Sequence, residues 1–322
     1  MKFFHLSDLH IGIKLYNREL LEDQKIVLRQ IVEQAGKECP DAIVIAGDIF
    51  DKAIPSVEAV SVFDQFVRAL RKEVTDTVIM MISGNHDSAP RVNLYRNILE
   101  EQKIYMVGMP PQGPEEQIEK VTLQDVWGNV NFYLLPFIKP SMVKQVVGTE
   151  ENGNLLSYQE SLRRMIEREQ IREEERNVCV SHQFYLPVGT GAEQVQRMDS
   201  EICTVGNIDQ VSAEILKQFD YSALGHIHKS VKVGEDRIRY CGTPMQYSVS
   251  EAGQKKAILM VELKEKGTCS VTPIPLNAPH EVRIIKGELN EVLKQECEDY
   301  VSVLLTDRMD LDICDMQDRL YT

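Results

Sequence analysis

Short apolar runs alternate with amphipathic stretches through the first third of the chain. Residues 2–6, 41–46 and 77–82 are rich in Val, Ile, Phe and Met, which is typical of strands buried on both faces. Apolar side chains recur at spacings of three and four over residues 17–37, and a similar stretch runs from residue 55 to about residue 72. This alternation of strands and helices favours a sheet with helices packed on its faces.

The pattern changes after about Tyr105. Two alternating stretches, residues 118–126 and 130–135, flank Trp127-Gly128-Asn129 and predict a hairpin. A helix is expected over residues 155–176, and the charged residues of its run 167–176 are expected to face solvent. Further strands are expected at residues 177–181, 221–224, 231–233, 237–241 and 257–263, with a long loop over 184–210 and a short helix near 211–217. The last three of these strands suggest a second sheet that meets the first.

The length of 322 residues exceeds the roughly 250 to 300 residues at which a single core stops growing. Pro273, Pro275 and Pro279 punctuate the end of a large domain, placed at residues 1–279. Residues 280–322 have the pattern of a strand, a helix, a strand and the opening of another helix, too little to fold alone. They are interpreted as the start of a small C-terminal α+β capping domain that continues beyond residue 322. The expected fold class is therefore α/β, two sheets flanked by helices, with this cap.

The composition is that of an ordinary globular protein, with 43% hydrophobic and 27% charged residues. No apolar run approaches the roughly 18 residues of a membrane span, so no membrane anchor is expected. The apolar stretch at the amino terminus is too short for a signal peptide, which favours a cytoplasmic location. The 7 cysteines are odd in number and contain no C-x-x-C pair, so reduced thiols are expected rather than disulfides or a zinc knuckle.

The formal net charge of −14 argues against tight, unaided, non-specific binding to nucleic acid, which depends on Lys and Arg at the phosphates. It does not exclude a phosphate substrate. Carboxylate ligands inflate the acidic count, and two divalent ions would offset part of the local charge. A basic partner could supply the rest.

Metal-type side chains follow the predicted strands in five places. They are Asp8 and His10, Asp48, Asn85-His86-Asp87, His182, and His226 with His228. Because ligands gather at the carboxyl ends of strands in such sheets, these scattered residues are expected to converge on one site. Oxygen and imidazole donors without thiolate suit a hard or borderline divalent metal, which indicates a catalytic ligand set.

Each motif has a plainer interpretation when taken alone. Asp8 could cap a turn beside a surface His10, and Asn85-His86-Asp87 could form an Asx turn. The functional interpretation is that His86 points at a substrate oxygen while Asp87 holds its ring. The Gly225-His226-Ile227-His228 run puts two imidazoles on the same side of an extended segment, or leaves two surface histidines. His5, within an apolar strand, is expected to be a packed core residue.

The order of the motifs resembles that of the calcineurin-like metallophosphoesterases. Their pattern D-x-H, G-D-x-x-D, G-N-H-D, H and G-H-x-H is filled here by Asp8/His10, Asp48/Asp51, Asn85/His86/Asp87, His182 and His226/His228. Within that superfamily, the runs HLSDLHIG from His5, AGDIFD from Ala46, ALGHIH from Ala223 and YCGTP from Tyr240 resemble the SbcD-type DNA nuclease subunits. The resemblance covers residues 1–279 well and the tail weakly, and it implies a two-sheet metallophosphoesterase sandwich.

The resemblance implies a dinuclear centre of two divalent ions, with manganese as the metal, although the donor types also admit iron, zinc or cobalt. One ion would be held by Asp8, His10, Asp48 and His228, and the other by Asp48, Asn85, His182 and His226. Asp48 would bridge them. His86 would then sit beside the leaving group, oriented by Asp87. Asp51 has two open interpretations, a cap of a helix or turn and a role toward substrate, because some relatives carry a histidine near this position.

The implied function is a metal-dependent DNA nuclease that acts on duplex ends or hairpins together with an SbcC-type ABC ATPase subunit. The resemblance also implies a homodimer, and the predicted helices over residues 57–72 and 91–101 are candidates for its contact. Two alternatives remain open. The same bimetal chemistry would serve a small-nucleotide phosphodiesterase or phosphatase, and a metal-free interaction scaffold would keep the fold alone.

Overall fold

The computed structural model describes residues 1–94, 96–190, 209–307 and 320. The strands in chain order are β1 (Lys2–Leu6), β2 (Lys14–Leu15), β3 (Arg18–Glu19), β4 (Ala42–Ala46), β5 (Val78–Ile82), β6 (Ile104–Val107), β7 (Glu119–Asp125), β8 (Gly128–Leu135), β9 (Arg176–His182), β10 (Phe184–Leu186), β11 (Gln210–Ser212), β12 (Tyr221–Gly225), β13 (Val231–Val233), β14 (Glu235–Tyr240), β15 (Lys256–Leu263), β16 (Cys269–Leu276), β17 (Val282–Gly287) and β18 (Tyr300–Leu305). The helices are α1 (Leu21–Glu38), α2 (Val57–Glu73), α3 (Ala89–Val92), α4 (Arg96–Glu100), α5 (Pro140–Val147), α6 (Tyr158–Glu167) and α7 (Leu289–Val292).

Two large sheets form the body of the protein. The first has the strand order β16-β15-β1-β4-β5-β6, in which β1, β4, β5 and β6 are parallel. The second has the order β13-β14-β12-β9-β8-β7, in which β8, β9, β12 and β14 are parallel. The predicted hairpin is confirmed as the antiparallel pair β7 and β8. The two sheets and their flanking helices confirm the predicted α/β fold class.

The apolar runs are uniform because each central strand packs on both of its faces. In β4, Ile43 and Ile45 belong to the core beneath α1 and α2, whereas Val44 and Ala46 belong to the core between the two sheets. The second sheet repeats this arrangement, with α5 and α6 on its outer face. The result is four layers, helix, sheet, sheet and helix, in the described part of the chain.

Helix α2 begins where the sequence places it, since the Ser56 side chain accepts a hydrogen bond from the Ala59 N–H at 3.2 Å. The prediction of a single helix over residues 91–101 is wrong, because α3 and α4 are separate short helices. None of the helices in the described ranges combines the length and apolar composition that a bilayer-spanning segment needs.

The predicted helix over residues 155–176 is wrong at its carboxyl end. Helix α6 stops at Glu167, and Arg176 opens strand β9 with only 2% of its surface exposed. Arg176 forms an ion pair with Asp125 and donates to the carbonyl oxygens of Gly128 and Lys264. These partners are distant in sequence, so local charge could not reveal that Arg176 is buried.

Two strands near residues 257–276 also differ from expectation. Strand β15, which the sequence pattern groups with the second sheet, pairs antiparallel with β1 in the first. Strand β16 is not predicted at all, because Pro273 and Pro275 suggest a break in regular structure. It lies at the edge of the first sheet, the position in which a strand tolerates proline.

The segment 184–217 is only partly as expected. Part of the predicted loop 184–210 forms the short parallel pair β10 and β11, and the residues 191–208 lie outside those described. The short helix near 211–217 is a 3-10 turn at Ala213–Leu216.

The carboxyl-terminal segment contains the predicted strand, helix and strand, and β17 and β18 pair in parallel. The expected further helix falls largely outside the described residues. His280 Nδ1 lies 2.9 Å from a carboxylate oxygen of Asp23 on α1, which also accepts from the Tyr300 hydroxyl at 3.3 Å. The segment therefore contacts the main body, and its identity as a separate domain from residue 280 stays a prediction.

His5 is a core residue, as expected. Its Nδ1 lies 3.0 Å from the Tyr221 hydroxyl and its Nε2 lies 3.2 Å from the Leu224 carbonyl oxygen, so it links the two sheets. Burial lowers the pKa of His5 to about 3, which keeps the ring neutral.

Candidate metal centre

The loops that leave β1, β4 and β12 turn sharply to bring their polar side chains together. Asp8, His10, Asp48 and His226 all have positive φ, at 52°, 41°, 50° and 100°. The first two loops are tied by hydrogen bonds from the Asp8 N–H to the Gly47 carbonyl at 3.0 Å and from the His10 N–H to the Asp48 carbonyl at 2.9 Å. Strained non-glycine backbone concentrated at one place is typical of a functional site.

One cluster of donors consists of Asp8, His10 and His228. One ligand atom from each lies within 4.8 Å of the others, and all three residues are buried. The His10 Nε2 and His228 Nε2 atoms are 3.1 Å apart. The Asp48 Oδ2 atom lies 3.6 Å from His10 Nε2 and so adjoins this cluster.

A second cluster lies on the other side of Asp48. His182 Nε2 is 3.2 Å from Asp48 Oδ2 and 3.0 Å from the amide oxygen Oδ1 of Asn85. The same Asn85 oxygen lies 2.9 Å from His226 Nδ1. The seven side chains predicted as ligands therefore meet in one place, with Asp48 between two groups of donors.

Two close approaches of the backbone depend on glycine, one within the first sheet at Gly84 and one between the two sheets at Gly225. A Cβ atom at Gly84 would lie 2.1 Å from Asp48 Oδ1, and one at Gly225 would lie 1.9 Å from the Ala46 carbonyl oxygen. Real Cβ atoms do not come so close to these atoms, so any larger residue would displace β4 or its exit loop. This explains why both glycines stand directly beside the donors in sequence.

Hydrogen bonds on the far side of the His182 and His228 rings set the orientation of these two side chains. His182 Nδ1 lies 2.7 Å from the Ala46 carbonyl oxygen, which fixes that nitrogen as the donor and leaves Nε2 for the cluster. His228 Nδ1 lies 3.4 Å from Glu251 Oε1, with the same consequence for its Nε2. The sequence gives no signal for Glu251. This residue does not follow a predicted strand, and it lies beyond the YCGTP run, the last of the motifs shared with the family.

His86 and Asp87 are placed differently from expectation. The prediction that Asp87 orients His86 is wrong, because the Asp87 carboxylate accepts the backbone N–H groups of Ile49, Phe50 and Gly84 at 2.9 to 3.0 Å. Asp87 thereby joins two loops. The ring of His86 is held instead by the main-chain carbonyl of Asp51, 2.8 Å from Nδ1.

His86 also reaches the donors themselves. One of its ring nitrogens lies within 4.8 Å of ligand atoms of His10 and Asp48, and its backbone N–H donates to Asp48 Oδ1 at 2.8 Å. The side chain is only partly buried, as is that of Asn85, whereas the other six donors are buried. His86 and Asn85 therefore lie on the more accessible side of the site.

The charge of the site suits a divalent cation. Asp8 and Asp48 are 0% and 2% exposed, and within the described ranges their ion-pair partners are histidines rather than Lys or Arg. Burial raises the pKa of Asp8, whereas the imidazoles of His182 and His10 outweigh burial and lower the pKa of Asp48. His10 Nδ1 is buried with no hydrogen-bond partner among the described residues. Two buried carboxylates that have no Lys or Arg beside them in the described part of the chain, and that are surrounded by imidazole nitrogens, fit a metal ion that would compensate their charge.

Comparison with known proteins finds a family model and several solved structures that this chain resembles. The family model for calcineurin-like phosphoesterases matches residues 1–230. A structural comparison finds TT1561 of Thermus thermophilus with a TM-score of 0.46 and 12% identity, covering 84% of this chain and 98% of that one. It also finds GAP50, the anchor in the inner membrane complex of Plasmodium, with a TM-score of 0.46 and 11% identity over 100% of this chain and 94% of that one. A dimetal phosphatase from Danio rerio has a TM-score of 0.44 and 14% identity over 86% and 99%.

Proposed function

This chain belongs to the calcineurin-like phosphoesterase family, a family of metal-dependent phosphoester hydrolases, and we propose that it is a DNA nuclease acting on duplex ends or hairpins. The observation that carries the proposal is the convergence of carboxylate, amide and imidazole donors around Asp48 at the meeting point of two sheets. The DNA substrate itself rests on the resemblance of the motifs to SbcD-type nuclease subunits.

The proposed ligand sets follow the two clusters. Asp8, His10 and His228 would hold one manganese ion, and the other would be held by Asn85, His182 and His226, with Asp48 shared. The contacts of Asp48 Oδ2 with His10 and His182, at 3.6 and 3.2 Å, support this sharing. When bound, two divalent ions would activate water and stabilise the charge that develops on a phosphodiester under in-line attack.

His86 is the proposed catalytic acid. With Nδ1 donating to the Asp51 carbonyl, the opposite nitrogen of a protonated ring carries a proton that it can give to the leaving oxygen. This role requires the side chain to be accessible, and its partial exposure supports that. Asp87 is proposed to act indirectly, by joining the loops that carry Asp48 and His86.

The net charge of −14 is the reason to propose a partner. An SbcC-type ABC ATPase subunit would supply the DNA-binding surface that an acidic chain lacks. Exposed apolar side chains on and near α2 and α4, including Val57 (80% exposed) and Ile98 (65%), support a homodimer contact there. The free thiols of the described cysteines are consistent with the proposed cytoplasmic location.

A small-nucleotide phosphodiesterase or phosphatase is the second candidate. The same net acidity favours it, because a small substrate needs no extended basic surface.

The deciding experiment is digestion of end-labelled linear and hairpin duplexes, with cyclic and small nucleotides as competing substrates. Each substrate would be tested with manganese, magnesium or chelator, with and without the ATPase. Wild type would be compared with Asp48→Asn and with Asp220→Asn, a matched change of a buried carboxylate at the amino end of β12. We expect manganese-dependent DNA cleavage that Asp48→Asn removes and Asp220→Asn retains. Rates on small nucleotides far above those on DNA under every condition would replace the nuclease proposal with the second candidate.

A further inference from the structure

A buried polar cluster lies behind His228, on the side away from the other donors. Its centre is Glu251, which is 0% exposed and follows β14 at the end of a 3-10 turn, Val249–Glu251. Its Oε1 atom faces His228 Nδ1 at 3.4 Å and accepts from the Ser248 hydroxyl at 3.0 Å. Its Oε2 atom accepts from the Thr243 hydroxyl at 3.0 Å.

Lys256 holds this carboxylate in place. Its Nζ atom donates to Glu251 Oε2 at 2.6 Å, contacts Thr243 Oγ1 at 2.7 Å, and donates to the main-chain carbonyl of His228 at 3.0 Å. Only 8% of Lys256 is exposed. A buried ion pair is tolerated when its remaining hydrogen-bonding positions are filled, as they are here, but such a pair contributes little net stability compared with apolar packing. The presence of this ion pair in the core is better explained by its effect on the tautomer of His228.

The arrangement fixes which nitrogen of His228 is available for a metal. A carboxylate facing Nδ1 stabilises the tautomer that carries its proton there, which leaves the Nε2 lone pair free. That Nε2 atom points into the centre, 3.1 Å from His10 Nε2. Among the described residues, the group behind the His182 ring is a neutral carbonyl, that of Ala46. The two clusters therefore differ in that one imidazole is backed by a carboxylate and another by a neutral carbonyl.

We propose that Glu251, held by Lys256, is a positioning residue that sets the tautomer and basicity of His228 and so strengthens the binding of one of the two metal ions. The inference rests on the proposed metal-ligand role of His228. Glu251 and Lys256 lie beyond residue 230, where the family match ends, so this support comes from a part of the chain that the shared motifs do not include.

The test is manganese titration calorimetry on wild type, Glu251→Gln and Asp220→Asn. The glutamine amide has one acceptor oxygen, which Lys256 would bind, and the amide nitrogen would then face His228 Nδ1 and stabilise the wrong tautomer. We expect one ion to bind about 10- to 100-fold more weakly in Glu251→Gln, with the other ion unchanged. The imidazole ¹⁵N shifts of His228 should move toward the Nε2–H form. Asp220→Asn, which removes a buried carboxylate bonded to the Asn177 N–H and Lys266 at the opposite end of β12, should keep both affinities.

The outcomes separate this inference from the proposed function. Wild type that binds no manganese would contradict the dinuclear proposal itself. Wild type that binds two ions, with Glu251→Gln either unchanged or weakened equally at both sites, would overturn the role of Glu251 alone. If Glu251→Gln does not fold, Ser248→Ala decides the question in the same way. It removes the hydroxyl that bonds Glu251 Oε1, so a smaller but still selective loss at one ion is expected.

Discussion

The two sheets meet at the candidate centre but bring different chemistry to it. Loops of the first sheet supply all the oxygen donors, Asp8, Asp48 and Asn85, together with the imidazole of His10. The second sheet and its loops supply only imidazoles. The oxygen side carries the negative charge that a divalent ion would compensate, and the imidazole side carries rings whose orientation depends on Ala46 and Glu251 behind them. Neither sheet presents a complete set of donors, so the site is a property of the packed pair.

The different contributions of the two sheets can be tested by removing one donor from each sheet. Asp48→Asn takes away the carboxylate between the clusters, and we expect it to lose both ions and more than about 100-fold of hydrolysis. His226→Ala should lose only the ion held with Asn85 and His182. Metal content after dialysis, measured by mass spectrometry, checks both. Equal loss in the two variants would contradict the shared role of Asp48.

The next largest effect is expected at His86, which lies on a loop of the first sheet and is the proposed catalytic acid. His86→Ala should keep full metal content while hydrolysis falls by about 10²- to 10⁴-fold, because proton transfer to the leaving group is removed. Asp51→Ala is the matched control. It preserves the main-chain carbonyl that holds the ring and should retain activity within a few-fold. A strong loss in Asp51→Ala would assign its side chain a role of its own.

The packing between the sheets can be tested apart from the donors. Gly225→Ala places a methyl group against the Ala46 carbonyl oxygen and should lower the free energy of unfolding by about 1 to 3 kcal/mol. Gly113→Ala is the control, since its added Cβ would meet its nearest neighbour at 3.6 Å, an ordinary contact. Urea denaturation of both variants without metal gives the comparison. Equal stability of the two would show that the sheets can separate at little cost.

The smallest effect is expected at Asp125, the last residue of β7, which lies beside the amino ends of β8 and β9, away from the donors. Burial alone would raise the pKa of Asp125, but its bonds to Arg176 outweigh burial and lower it. A carboxyl group whose pKa is lowered by folding adds stability above its unfolded pKa of about 3.9, and this is lost as the pH falls further.

Asp125→Asn should therefore cost about 1 kcal/mol or less near neutral pH, and this difference should shrink as the pH falls below about 3.9 toward the lowered pKa of the folded state. The measurement is the difference in unfolding free energy between wild type and variant from urea melts over this range. A difference that grows toward low pH would have the wrong sign and contradict the assignment.

Much of the site could be predicted because its signals are local. Each donor directly follows an apolar strand, and parallel strands bring their carboxyl ends to one edge. The uniform apolar run of β4 indicated burial on both faces, and both faces are indeed covered. His5 could be assigned to the core for the same reason.

Other features could not be predicted because their causes are distant in the chain. The ring partner of His86 is a main-chain carbonyl, which any residue at position 51 would supply, so no side-chain pattern marks it. Pro273 and Pro275 suggested the end of a domain. They lie instead in β16, which can be a strand because it is at the edge of the first sheet, where proline is tolerated.

The sequence by itself indicated which side chains are candidate donors, in what order they occur and that strands deliver them, because periodicity and strand-exit position are properties of neighbouring residues. Only the tertiary structure decided how those strands are distributed between two sheets. It also decided that the Asp87 carboxylate accepts backbone N–H groups instead of orienting the His86 ring, and that Glu251 lies behind the His228 ring. These contacts join segments whose meeting depends on packing of the whole core, and no local pattern of hydrophobic and polar residues specifies them.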